Sequence, residues 1–177
     1  RGPDEEGNRL QESKAIAVWL ENDMDFGKLS LKPGVRYEYV DQFHADYAKA
    51  TTFEGSTNYL APGVGFTYEV NDSNLVYGGI YKGVSIAGPR SAQKSGVDPE
   101  ESIGYEIGRR HRTDRINAEL ALFFTDYSNI ISSDAGLGDT ASINADAATV
   151  YGLEASVSYD LLNDNKGYKM PVYATAT

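Results

Sequence analysis

Residues 115–160, RINAELALFFTDYSNIISSDAGLGDTASINADAATVYGLEASVSYD, decide how this chain is read: two long runs of alternating hydrophobicity are joined by a polar connection. A strand sends successive side chains to opposite faces, so a period of two is its signature. In the second run Tyr151, Leu153, Ala155, Val157 and Tyr159 share one face, against Gly152, Glu154, Ser156, Ser158 and Asp160 on the other. In the first run Ile116, Ala118, Leu120, Leu122 and Phe124 oppose Asn117, Glu119, Ala121, Phe123 and Thr125, the same contrast in a less pure form. Tyr151 and Tyr159 stand at the two ends of the apolar row, as interface aromatics do on a strand that crosses a bilayer.

The totals narrow the choice. The formal charge of -10, from 16 basic and 26 acidic residues, argues against a nucleic-acid partner, because phosphate binding needs a basic footprint. Thirteen tyrosines, each with an apolar body and a wet tip, favour interfaces. No apolar run approaches the roughly 18 residues of a transmembrane helix, a limit that does not apply to strands apolar on one side only. The mean hydropathy of -0.44 suits either a soluble protein or a barrel. Without cysteine there is no disulfide, thiolate metal site or thiol nucleophile. The opening RGPDEEGNRL has no export-signal pattern, so either a signal has been removed or the chain is an internal piece of a longer one.

Outward from the hairpin, residues 1–13 read as loop and Lys14 to Asp25 as a first strand. Its Ile16, Val18, Leu20 row and its Ala15, Ala17, Trp19 row are equally eligible to be the apolar face. After a turn at Phe26, Gly27 and Lys28, the row Leu29, Leu31, Val35, Tyr37, Tyr39 alternates with polar and small residues, and Pro33 interrupts the strand interior. A polar connection at about 41–56 follows. Next come a strand at Leu60–Val70, the turn NDSN at 71–74 and a glycine-rich strand at Leu75–Val84. A second connection at about 85–98 leads to a strand at Ser102–Gly108, the charged turn RRHRTD, and the hairpin. The segment 161–167 is a further turn, and YKMPVYATAT begins an eighth strand. Short turns thus alternate with long connections, and strands of about ten residues or more suit a tilted bilayer crossing. An outer-membrane barrel has this rhythm, with its short turns on the periplasmic side.

Several motifs resemble those of the TonB-dependent outer-membrane receptors. Pro99 and Glu100 with Tyr105, Glu106 and Gly108 are similar to the family's "PE...yElG" strand, and Tyr151–Glu154 to its "YGLE" strand. KPGVRYEYVD resembles its "pGlRyd" strand. YKGVSIAGP resembles its "GF.pP" segment, with Val84 in place of an aromatic and Ala87 in place of a proline. The segment spacing is similar to the ferric-citrate receptor branch. The resemblance implies an all-β, antiparallel transmembrane barrel domain over residues 1–177, about eight strands of a 22-strand type, with plug, energy-coupling box and remaining strands absent. It implies import of a ferric chelate (siderophore or ferric citrate) driven through TonB, in a Gram-negative outer membrane, with lipid as a further partner. No enzyme activity, cofactor or bound metal is expected.

By that resemblance His44, Tyr47, Lys49, Arg90 and Lys94, in outer loops, are candidates to meet an anionic chelate, which needs cations or hydrogen-bond donors. The ordinary alternative is that loop charges are solvated and have no special task. Glu106, Glu119 and Glu154 are expected to face the lumen, as a hydrated wall or as contacts for a plug. Tyr151 and Tyr159 are girdle aromatics, or ordinary half-buried ones. NDSN and LLNDNKG lack calcium-loop spacing, and the two histidines, His44 and His111, lack metal-type spacing and are expected at the surface. Other readings are a complete eight-stranded barrel or porin and, with no nucleophile elbow to support it, an outer-membrane hydrolase.

Overall fold

The computed structural model describes residues 8–89, 97–134, 141–144, 147–162 and 168–177, and those residues form strands and connections without a membrane-length helix. The strands are β1 (Arg9–Glu21), β2 (Met24–Phe26), β3 (Leu29–Asp46), β4 (Thr51–Asn71), β5 (Asn74–Ser85), β6 (Glu100–Arg112), β7 (Ile116–Ser128), β8 (Ile131–Asp134), β9 (Ala141–Asn144), β10 (Ala148–Asp160) and β11 (Pro171–Ala176). One sheet runs β1-β3-β4-β5-β6-β7-β10-β11, every neighbour antiparallel, with β2 on β3 and a separate β8-β9 ladder. It is an up-and-down meander of eight strands, seven of them 12 to 21 residues long and β11 of six. Among the described residues β1 and β11 pair on one side only, so the eight do not close on one another.

Register assembles the apolar rows into a continuous band. Tyr151 lies opposite Phe124 and Leu153 opposite Leu122, which in turn lie opposite Tyr105 and Ile107 of β6. Ile80 continues the row to Val64, and Leu31 joins it through Phe66. Tyr105 and Phe124 meet edge-on, 6.0 Å between ring centroids. The first strand's ambiguity is resolved here: Ile16, Val18 and Leu20 lie opposite Tyr39, Tyr37 and Val35 and so belong to the band, while Ala17 and Trp19 lie opposite Glu38 and Arg36. The large residues of this band are exposed, Leu20 to 72% and Tyr151 to 77%. A soluble sheet would bury such a face.

Pro33 marks a local irregularity. Glu21 lies opposite Gly34 and Met24 opposite Leu31, a single register interrupted at the two positions facing Pro33 and Lys32. Proline has no N–H for the ladder. The Asn22 amide still reaches the Pro33 carbonyl at 3.1 Å, so β1 and β2 are one crossing with a gap. Gly27, at φ +75, makes the turn that follows, its amide held by Asp25 Oδ1 at 3.0 Å.

Four expected loops are shorter or more ordered than their sequence suggests. The connection expected at 41–56 is mostly strand, because β3 runs for 18 residues and β4 for 21, leaving only 47–50 between them. About ten residues cross a bilayer, so these strands extend well past the apolar band. There a ladder needs only hydrogen bonds and no apolar face, and alternation ceases to report it. For the same reason β1 begins at Arg9 inside the expected loop, and Arg109–Arg112 of the expected charged turn belong to β6. The polar connection of the hairpin, at about 131–141, likewise begins as β8, which pairs with β9 just beyond it.

On the polar face, aromatics lie over glycines at paired positions of adjacent strands. Tyr77 faces Gly108, Tyr81 faces Gly104, and Phe123 faces Gly152. A methyl at Gly104 would stand 2.5 Å from Tyr81 Cζ and one at Gly152 2.6 Å from Phe123 Cζ; at Gly108 it would collide with the Tyr77 ring. The glycines give each ring room to lie flat on the wall. Gly108→Ala in the intact protein is therefore expected to lower stability by about 1–3 kcal/mol in denaturant unfolding. Combined with Tyr77→Ser its cost should largely vanish, and a fully additive double mutant would refute the ring contact.

Candidate functional site

The polar face of the sheet is the candidate site, and its side chains fall into three zones along the strands. In the middle, Gly63, Gly65 and Gly79 floor a depression of about 590 Å³ rimmed by Trp19, Lys32, Arg36, Tyr77, Tyr81 and Glu106. Its cations are paired: Arg36 Nη2 lies 2.6 Å from Glu38 Oε2, and Lys32 Nζ 3.0 Å from Asp23 Oδ1 and 3.6 Å from Glu21 Oε1.

Nearer the short turns Tyr77, Arg110 and Glu119 come together from three successive strands. The Tyr77 hydroxyl donates to Glu119 Oε1 at 2.5 Å, and Arg110 donates through Nη2 and Nε to the two carboxylate oxygens at 3.0 and 3.2 Å. The guanidinium also stands 5.5 Å from the Tyr77 ring centroid. Both carboxylate oxygens are therefore used, and the cluster acts as a polar rivet across β5, β6 and β7. A second recess of about 450 Å³ has Glu106, Glu119 and Glu154 in its lining with Tyr77 and Ser156. Register explains this convergence: Glu154 lies opposite Ala121, two positions from Glu119, and Glu106 lies opposite Phe123.

The third zone is the end with the long connections. His44 is on β3, only 2% exposed and stacked near Phe53 at 6.2 Å, contrary to its expected surface position. It shares the polar face with the buried Gln42 and Asp46. Gln42 Nε2 donates to the Ala87 carbonyl at 2.9 Å and ties the β5-β6 connection down onto β3. A second tie joins that connection to the β8-β9 ladder: the Asp98 amide donates to Asn144 Oδ1 at 2.8 Å, and Asn144 Nδ2 donates to the carbonyls of Asp98 and Asn129 at 2.9 and 2.8 Å. Tyr47 and Lys49 sit exposed in the β3-β4 turn. Arg90 and Lys94 lie outside the described residues.

Tyr77, Arg110, Gln42 and Asn144 were not singled out from the sequence. Parity alone places Tyr77 and Arg110 on the polar face, but the pairing that brings both to Glu119 depends on the register of three strands. Tyr151 and Tyr159 stand on the apolar face, about 26 Å of strand apart. Among the described residues no group of three or more His, Asp or Glu side chains could hold a metal ion.

Long antiparallel neighbours, an exposed apolar band and a charged, glycine-floored opposite face define the wall of an outer-membrane type β-barrel. Residues 2–177 match the family model of the TonB dependent receptor-like β-barrel, and the chain belongs to that family. Among solved structures it is similar to the ferric citrate transporter FecA in its unliganded form, at 26% identity and a TM-score of 0.76, covering 86% of this chain and 23% of that one. It is also similar in fold to the alcaligin outer-membrane receptor FauA from Bordetella pertussis, at 22% identity and a TM-score of 0.71, covering 95% of this chain and 31% of that one. A third likeness is to the ferric-catecholate import receptor Fiu from E. coli K12, at 16% identity and a TM-score of 0.63, covering 87% of this chain and 26% of that one. The chain thus spans about a quarter to a third of these proteins.

Beyond the apolar band, the Asp46 carboxyl anchors the start of β1. Arg9 Nε donates to Asp46 Oδ2 at 3.0 Å, and the Lys49 amide donates to Oδ1 at 3.3 Å. Burial raises this carboxyl's pKa, but the Arg9 hydrogen bond, the Lys49 amide and the two cationic charges outweigh it and hold the pKa below the ordinary carboxylate value. A depressed pKa contributes stability above the unfolded value near 3.9, lost as pH falls through the folded one. Protection of the amides of residues 9–13, taken relative to their intrinsic exchange rates, should hold at pH 5 and fall below about pH 4. In Asp46→Asn that acid step should be missing, and its persistence would assign the effect elsewhere.

Proposed function

We propose that this chain is part of the barrel wall of a receptor that imports a ferric chelate, a siderophore or ferric citrate, across a Gram-negative outer membrane with energy delivered through TonB. The observation that carries the reading is family membership over residues 2–177, supported by the likeness to a ferric citrate transporter. In that setting the polar face is the lumen, and Glu106, Glu119 and Glu154 form an acidic, hydrated wall. Tyr151 and Tyr159 mark the two membrane interfaces. The unpaired edges of β1 and β11 meet further strands, because backbone groups facing lipid must be satisfied within the protein. A plug outside this chain would couple the lumen to TonB. An open edge on each side weighs against a complete eight-stranded barrel.

At the outer end the β3-β4 turn presents Tyr47 and Lys49, a hydrogen-bonding aromatic and a cation, toward an anionic chelate. His44 contributes from beneath, packed on Phe53. Arg90 and Lys94 are retained as contacts on the β5-β6 connection for their charge. The function is capture and passage, without bond chemistry.

Deleting the gene should abolish uptake of at least one radiolabelled ferric chelate in iron-starved cells. Unchanged uptake over a panel including ferric citrate, catecholates and hydroxamates would overturn the substrate class. Lys49→Ala is expected to raise the Kd for an anionic chelate roughly tenfold, the loss of one charged hydrogen bond. Equal binding by variant and wild type would remove Lys49 from the contact set.

A further inference from the structure

The cations of the described residues differ in whether a carboxylate meets them. Arg9, Lys32, Arg36, Lys82 and Arg110 each stand within ion-pair distance of a carboxylate. Lys14, Lys28, Arg109, Arg112, Arg115 and Lys169 have no such partner among the described residues, and all of these except Lys14 lie at the end with the short turns. In a chain with 26 acidic and 16 basic residues this is a concentrated exception.

Arg109 differs from the other four at that end in its direction. Along β6 the exposed positions Ile103, Tyr105 and Ile107 belong to the apolar band, and Arg109 is the next residue on that face, also exposed. It lies opposite Val76 on one side and Leu120 on the other, so the charge is set at the edge of the band between two apolar residues. Asn74 Oδ1 accepts from Arg109 Nη2 at 2.9 Å and lies 3.0 Å from His111 Nδ1, a side chain on the same face. That clamp fixes the guanidinium while leaving most of its five donors unused. Nearby carboxylates face elsewhere: Glu69 is on the polar face, Asp25 holds the Gly27 amide, Asp160 accepts from the Leu162 and Met170 amides, and Asp72 and Asp114 are in turns.

We propose that Arg109, clamped by Asn74 and flanked by His111, binds the phosphate of a phospholipid in the leaflet on the short-turn side. The inference rests on the membrane reading above. A planar guanidinium matches phosphate oxygens in pairs. Val76 and Leu120 provide the apolar flank against which the top of an acyl chain packs. A soluble anion would use the charge and leave that flank in water, so the lipid is the occupant that satisfies both. At the opposite end of the band the outward-facing cations stand beside outward carboxylates: Lys82 is paired with Glu101 at 2.7 Å, and Lys14 lies opposite Asp41.

The test is native mass spectrometry of the complete receptor in detergent, incubated with phosphatidylglycerol or with diacylglycerol, which lacks the phosphate. Wild type should retain phosphatidylglycerol and not diacylglycerol. Arg109→Gln should lower phosphatidylglycerol retention about fivefold, while Arg112→Gln leaves it unchanged. Arg109→Lys, which keeps the charge, should retain more than Arg109→Gln and carries the test if the latter fails to fold. Equal retention by wild type and Arg109→Gln, or equal binding of diacylglycerol, would overturn the proposal. Displacement of the lipid by millimolar inorganic phosphate would make this a soluble-anion site and overturn it as well. Chelate uptake by Arg109→Gln cells at the wild-type rate keeps the receptor reading separate from either result.

Discussion

The constraint on which this structure depends is that a backbone in lipid must satisfy its hydrogen bonds within the protein. Each crossing pairs with its neighbours along its length, and the ladder fixes the rest: with a period of two, one register sends the whole apolar set to one face. A slip by a single residue between β7 and β10 would carry Leu153, Val157 and Tyr159 to the side that now holds Glu154 and Ser156. The exposed band and the charged face are consequences of the same pairing. Even the gap at Pro33 preserves register on both sides.

Register also writes the contents of the polar face. Tyr77, Tyr81 and Phe123 lie flat because each is paired with a glycine, and Tyr77 laid over Gly108 is in reach of Glu119, which Arg110 holds from the strand between. A carboxylate with one aromatic hydroxyl and a bidentate arginine is a tightly specified group, and its members are 42 and 9 residues apart in the chain. The acidic recess around Glu106, Glu119 and Glu154 forms from the same alignment.

Above the band the logic changes, because water can satisfy any group and the apolar face is no longer required. The β3-β4 hairpin continues as ladder, and single side chains tie the connections together. Gln42 holds Ala87, and Asn144 joins Asp98 to Asn129. Ala87 stands at a position that has a proline in the resembling family segment; here its buried carbonyl is the acceptor that fastens the β5-β6 connection to β3. At this end Gln42 fastens Ala87 to β3, and Asn144 fastens Asp98 and Asn129 to the β8-β9 ladder.

The sequence by itself determined the all-β class, eight crossings, their antiparallel order and the faces of Glu106, Glu119 and Glu154, since alternation and turn chemistry are local properties and lipid makes the alternation strict. The YGLE and PE...yElG motifs added the family. Tertiary structure decided what depends on the neighbour. It assigned Trp19 to the polar face, because only pairing with Arg36 distinguishes two equally apolar rows, and it buried His44 on a strand read as loop. It also brought Tyr77 and Arg110 to Glu119 and turned Arg109 outward at the edge of the band. A strand records its own two faces; which residues meet across the ladder, and where a polar strand ends, are fixed only by the strand beside it.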